Sequence, residues 1–214
     1  INGALRALEA LADPARFAAQ YGEGKAPMLF AMGDGNHSFA TAKANWEALK
    51  QKLSPAEREA HPARYALVEL ENIHDPGIVF EPIHRVLFNI DTEQALRFLV
   101  ERLAADNGAC KLNRFESKED CDALIKIAQT CGGHILPFVF AGGYGYLKVN
   151  APTAQLEVGT LQNALDALLK AFPQASIDYI HGADVVNELG AKPGNLGFLL
   201  PPMAKSAFFP TVVF

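Results

Sequence analysis

Leu5, Leu8 and Leu11 recur at helical spacing in NGALRALEALADPARFAAQY, a periodicity that Pro14 must break or restart. Gly22, Gly24 and Pro27 then mark a loop, and the apolar run PMLFAM reads as a short buried strand. Further on, Phe39, Ala42, Trp46 and Leu49 fall three, four and three residues apart. They form one stripe of a helix whose Lys43, Glu47 and Lys50 face elsewhere. ARYALVEL, residues 63–70, is apolar on both alternate faces except at Glu69, which is the pattern of a central strand. The loop ENIHDPG separates it from a further strand, HRVLFNI.

Residues 91–150 read as a unit of their own. TEQALRFLVERLA is a helix with Leu96, Leu99 and Leu103 inward, and ACKLNRF alternates as a strand. Ser117 and Asp120 resemble a capping box ahead of ALIKIA. ILPFVFAGGYGYLKV is a hairpin turning at Gly142 and Gly143, with Pro137 suggesting an edge or a bulge. The last third returns to longer elements. LEVGTLQNALDALLKAF is a helix with Val158, Leu161, Leu165 and Leu168 on one face. SIDYI is a strand, ADVVNEL a short helix, and NLGFLLPP a strand from Asn195 to Pro202. The expected class is α/β, a mixed sheet with surrounding helices. Three regions are expected: a site-bearing region over 1–90, a small α/β insert over 91–150, and a C-terminal α/β region over 151–214.

Composition narrows the function classes. Half of the 214 residues are hydrophobic, enough for one large core or two small ones. The net charge is -5 and the pI about 5.7, so no basic surface recruits nucleic acid. No apolar run approaches the roughly 20 residues of a membrane span, and charged residues punctuate positions 1–20 where a signal peptide would be apolar. Cys110, Cys121 and Cys131 have no paired-ligand spacing, which suits a reducing cytoplasm and disfavours a zinc ribbon or a disulfide scaffold. Cys121 and Cys131 read as buried apolar groups, without the basic neighbours of a nucleophile. The chain starts at Ile1 and stops inside AFFPTVVF, so it is expected to be a piece of a longer protein.

The densest chemistry lies in GDGNHS, between the PMLFAM run and the helix behind it. Asn36 is the expected N-cap, its amide oxygen accepting the N–H of Ser38 or Phe39. The other first-turn N–H groups then stay open to an anion, and Gly33 and Gly35 let a ligand approach the backbone. Asp34 is placed to bind a cation or take a proton, His37 to donate to a phosphate oxygen or act as a base, and Ser38 to add a hydroxyl. The spacing is neither a Walker loop nor G-x-G-x-x-G, and a capped turn with no ligand accounts for the same residues.

Two other clusters invite the same question. NIHDPGIVFEPIHR holds His74, Asp75, Glu81, His84 and Arg85, but its histidine spacing fits no zinc pattern. Anion binding by His84 or Arg85 competes there with a plain Glu81–Arg85 ion pair. DYIHGADVV sets His181 at a strand-to-helix junction, where open α/β sheets bind ligands. The glycine hairpin AGGYGY is read as a turn.

GDGNHSFATAKANWE, ARYALVELENIHDPGIVFEPIHRVLF and DYIHGADVVNELGAKPGNLGFLLPPMAKSAFFPTV resemble the bacterial and archaeal family called domain of unknown function 1015. The resemblance covers most of 27–90 and 176–214 and is thin through 91–150. The family motif is D-G-H-H-R, matched here by Asp34, Gly35, Asn36, His37 and Ser38. That motif resembles the strand-turn-helix core of the ParB-like and sulfiredoxin-like fold group, which holds nucleotide phosphates. Some members of that group hydrolyse nucleotides and some phosphorylate free serine. The resemblance implies ATP or ADP with Mg as cofactor, His37 on phosphate, and Asp34 as base or metal-water ligand. Asn36 in place of the first His and Ser38 in place of the Arg remove a bidentate phosphate clamp.

The resulting expectation is a cytoplasmic protein whose pocket binds a small anionic or phosphorylated ligand. Asp34 and His37 are its catalytic residues; Gly33, Gly35, Asn36, Ser38, His84, Arg85 and His181 are its binding residues. Its activity would be phosphoryl transfer or nucleotide hydrolysis. The alternatives are a metabolite-binding module without turnover and a scaffold with a vestigial pocket.

Overall fold

Pro14 restarts the helix. Helix α1 (Asn2–Leu11) ends before it and α2 (Pro14–Tyr21) begins on it, with the Asp13 carboxylate accepting the Arg16 N–H at 2.9 Å. A proline is tolerated there because a first-turn N–H has no intrahelical partner. These elements come from a computed structural model, which describes residues 2–33 and 35–213. The chain divides into two compact units, one of Val79–Ala204 and one of Ile1–Ile78 with Lys205–Phe214.

Among the described residues, the unit containing α1 and α2 is helical. It continues through α3 (Asn36–Lys50) and α4 (Pro55–Ala60), whose Ser54 and Glu57 form a reciprocal capping box. Phe17 is the one described apolar side chain it buries, and it packs on the Tyr21 ring. Two expected strands are absent here. Residues 26–32 and 65–70 have no sheet partner, and Phe30, Tyr65, Leu67, Val68 and Leu70 are exposed. Their apolar pattern makes them fit to be buried in a sheet, but a strand exists only where a second strand receives its N–H and C=O groups. The α3 stripe is likewise open: no residue of α3 is buried, and Phe39 is exposed.

In the other unit nearly every periodicity finds its partner. Its elements run β1 (Ile83–Phe88), α5 (Thr92–Asn107), β2 (Cys110–Phe115), α6 (Lys118–Gln129), β3 (His134–Phe140), β4 (Gly143–Val149), α7 (Glu157–Ala171), β5 (Ser176–His181), α8 (Ala183–Gly190) and β6 (Leu196–Phe198). The strands form one antiparallel sheet in the order β2-β4-β3-β6-β1-β5. The expected strand Asn195–Pro202 is reduced to its first part, since Pro201 and Pro202 have no N–H for a ladder. The class is therefore mixed α/β, with all of the described sheet in this unit.

Strand alternation sorts the helices onto two faces. Leu87, Leu136, Phe138, Leu147 and Phe198 face α5 and α7, which bury Leu96, Leu99, Leu103, Leu161, Leu165 and Leu168 against them. Val86 and Val139 face α8 through Val186, and Ile135 and Tyr146 face α6 through Cys121 and Ala128. Each fully buried leucine is worth about 1.5–3 kcal/mol relative to exposure, so the three-layer unit supplies most of the hydrophobic stabilisation. The last helix, α9 (Lys205–Val213), belongs with the first unit, where the Lys205 ammonium donates to the Asp75 carbonyl.

Candidate functional site

The turn before α3 differs from its expected form. Asn36 is the first helical residue, and the cap position belongs to Gly35, held in the left-handed region at φ 71°. That backbone is open to glycine and strained for residues with a Cβ. With its backbone already helical, Asn36 is not the N-cap, and no side chain among the described residues caps α3. The Gly35 carbonyl accepts from Phe39 at 2.9 Å, the first helical bond. The N–H groups of Asn36, His37 and Ser38 precede it and have no acceptor among the described residues. Gly33, Asn36, His37 and Ser38 are exposed, so this helix end is open to solvent. Asp34 lies outside the described residues.

His84, Arg85 and His181 belong to the other unit, where the register of β1 and β5 sets Arg85 and His181 on one face of the sheet and His84 on the opposite face. His181 lies opposite Ile83, Ile180 opposite His84, and Tyr179 opposite Arg85. His84 is buried at 4% exposure, and its Nδ1 accepts the N–H of Leu200 at 3.0 Å. That bond requires a neutral ring with the proton on Nε2. Burial, then Arg85 and His181, push its pKa below the usual histidine value. His84 is thus tied into the fold through one nitrogen.

Arg85 is buried at 7% exposure and bonds to neutral groups. Its Nε donates to Gln162 Oε1 at 2.9 Å, and Nη1 donates to the carbonyls of Ile83 (2.5 Å) and His84 (3.3 Å). The Tyr179 ring lies 4.4 Å from the guanidinium carbon. Burial lowers its pKa, with Tyr179 acting in the opposite sense. The alternative Glu81–Arg85 ion pair does not form, and Glu81 is exposed. Gln162 on α7 and Tyr179 on β5 were invisible as partners in the sequence, since only the strand register and helix packing place them beside Arg85. His181 is exposed at the end of β5.

The His74–Asp75 loop makes local turn contacts. Asp75 accepts from Gly77 at 2.8 Å and Asn72 from the His74 N–H at 3.1 Å, both within a turn. Among the described residues no three His, Cys, Asp or Glu side chains gather as a metal site. Cys121 is buried as expected, but Cys131 is exposed beyond the end of α6. Burial pushes the thiols of Cys110 and Cys121 up to about 11, which keeps them protonated and unreactive at neutral pH.

Residues 2–168 match the model of a family described as Protein of unknown function (DUF1015). The match takes in 91–150, where the resemblance of the motifs is thin, and ends before 176–214. No curated protein and no solved structure matches the chain. A match over well over half of the 214 residues, with the GDGNHS turn inside it, makes the chain a member of the DUF1015 family.

Proposed function

We propose that the protein binds a phosphate-bearing small molecule, a nucleotide in the first instance, at the N-terminus of α3. One observation supports this reading most: α3 opens on a left-handed glycine, and among the described residues its first three N–H groups have no acceptor, beside His37 and the Ser38 hydroxyl. A helix end of this kind carries about half a positive charge, and hydrogen bonds to a charged acceptor are worth about 1.5–3 kcal/mol each. A capping amide at Asn36 would have consumed one of those donors, and Asn36 does not cap the helix. Phosphate would be held by backbone N–H groups and His37, in place of the arginine clamp that Ser38 lacks.

Asp34 and His37 are the groups to which phosphoryl transfer or nucleotide hydrolysis with Mg2+ would fall. Ser38 at the clamp position favours the second reading, a binding module without turnover. Calorimetric titration of the folded chain with inorganic phosphate, ADP and ATP, each with and without Mg2+, tests the proposal. Binding that His37→Ala weakens about tenfold supports it. No heat at millimolar ligand, or binding unchanged by His37→Ala, refutes it. Release of ADP or phosphate from ATP by the wild type, lost in Asp34→Asn, separates the enzyme from the binding module.

A further inference from the structure

Arg85 presents an unusual charge balance. A guanidinium removed from water is normally paired with a carboxylate, because burial of an uncompensated charge is costly. Here the bonds from Nε and Nη1 go to an amide and two carbonyls, and no described carboxylate bonds to Nη2 or to the rest of the group. The described carboxylates on neighbouring residues bond to other groups. Asp166 accepts from Gln162 Nε2 at 2.8 Å, which turns the amide oxygen toward Arg85, and Asp178 accepts the Tyr179 N–H at 2.8 Å.

The register places the group at an accessible corner. Ile83 and Arg85 alternate onto the same face of β1, as Tyr179 and His181 do on β5, and the two pairs stand opposite one another. Tyr179 is 51% exposed, Ile83 43%, and His181 is also exposed, so the side chains that flank the guanidinium along the strands, away from Gln162 of α7, reach solvent. Diagonal neighbours across an antiparallel pair lie about 7–8 Å apart. An oxyanion between Arg85 and His181 spans that distance with one hydrogen bond to each.

We propose that this corner of the β1–β5 face is a second anion site, independent of the α3 turn. Arg85 Nη2 is its floor, Tyr179 its wall and His181 its rim donor. Its ligand is a small oxyanion, a carboxylate or a phosphate, supplying the counter-charge that the fold withholds from Arg85.

The test is NMR titration of the whole chain, following the Arg85 Nε–H resonance and the amides of Tyr179 and His181. Sodium phosphate and sodium acetate are separate arms, with sodium chloride as the ionic-strength control. The expected result is a saturable shift with one of the two oxyanions, none with chloride, and loss of the response in Arg85→Met. The arm that saturates identifies the ligand class. His181→Ala, at an exposed position that leaves folding intact, should weaken binding about threefold to tenfold and serves if Arg85→Met does not fold. A linear response to both anions up to 50-fold molar excess (~50 mM at millimolar protein), or an affinity unchanged by His181→Ala, overturns the proposal. His37→Ala should leave these shifts unchanged, which keeps this site distinct from the α3 turn.

Discussion

His84 gives the sharpest separation of a structural from a ligand-binding role. Its Nδ1 accepts the Leu200 N–H at 3.0 Å, and the two residues are 4% and 6% exposed. His84→Leu removes the acceptor and leaves a buried N–H unsatisfied, at a cost of about 1–3 kcal/mol. His84→Asn keeps an oxygen at the branch position of Nδ1 and should recover much of that loss, less the packing of the ring.

The same bond fixes a pH dependence. The ring is neutral in the fold and its pKa is lowered by burial, Arg85 and His181, whereas in the unfolded chain it returns to about 6.5. The unfolded state therefore binds the proton more readily, and stability falls as pH drops through 6.5 toward the lower folded value. The contribution is fully present above about pH 7.5 and shrinks by at most about 1.4 kcal/mol per pH unit below 6.5. Urea unfolding of wild type, His84→Asn and His84→Leu at pH 7.5 and 5.5 reads both effects. At pH 7.5 the leucine variant should be the least stable. Between pH 7.5 and 5.5 the wild type should lose up to about 1.4 kcal/mol more than His84→Asn. If the two substitutions cost the same at pH 7.5, or the difference between wild type and His84→Asn does not move with pH, the assignment of Nδ1 as a buried acceptor is refuted.

Two core predictions test the three-layer unit. Leu165→Ala on α7, at a side chain with no exposure, should cost about 2–5 kcal/mol in urea unfolding, in the range of buried leucine truncations. Gly190→Ala sets a helix-propensity gain of about 1 kcal/mol against a clash. A Cβ there would stand 2.6 Å from Val139 Cγ1, 2.9 Å from the Gly197 nitrogen and 3.0 Å from the Val139 carbonyl. Two of those atoms are sheet backbone, so overpacking of about 1–3 kcal/mol should outweigh the gain and lower the urea midpoint.

The two halves of the chain differed in legibility for one physical reason. In TEQALRFLVERLA and LEVGTLQNALDALLKAF the apolar period reports a burial that occurs, because Leu99 and Leu165 meet the sheet face formed by Leu136 and Phe138. Val158, placed on that stripe by the period, is 37% exposed, since it sits in the first turn where the helix leaves the core. PMLFAM and ARYALVEL carry equally good strand patterns, yet a pattern states what a segment can bury and not whether a partner exists. A helix satisfies its own backbone, but a strand depends on residues far away in the sequence. The same distinction governs the sites. GDGNHS was legible as a turn opening a helix because turn chemistry is local. Its cap is Gly35 and not Asn36, because the left-handed backbone before α3 favours a residue without a Cβ.

Arg85 shows the complementary case, a residue whose meaning is entirely non-local. In HRVLFNI it is one polar position in an apolar strand, where an ion pair with Glu81 competes with anion binding. Burial decides against it: the guanidinium sits beneath Tyr179, across the register from β5, and takes its acceptors from Gln162 and the β1 carbonyls. Neutral acceptors satisfy N–H groups but leave the charge uncompensated, and that difference is what makes the corner a binding site to be tested. A conventional buried pair would have predicted that removing the carboxylate destabilises the fold by about 3–5 kcal/mol. With no described carboxylate to remove, the missing charge must be supplied by a ligand, or the cation must be held by its three neutral bonds and the Tyr179 face alone. Those alternatives differ in one measurable respect, because only the first makes the Arg85 resonance respond saturably to a small oxyanion.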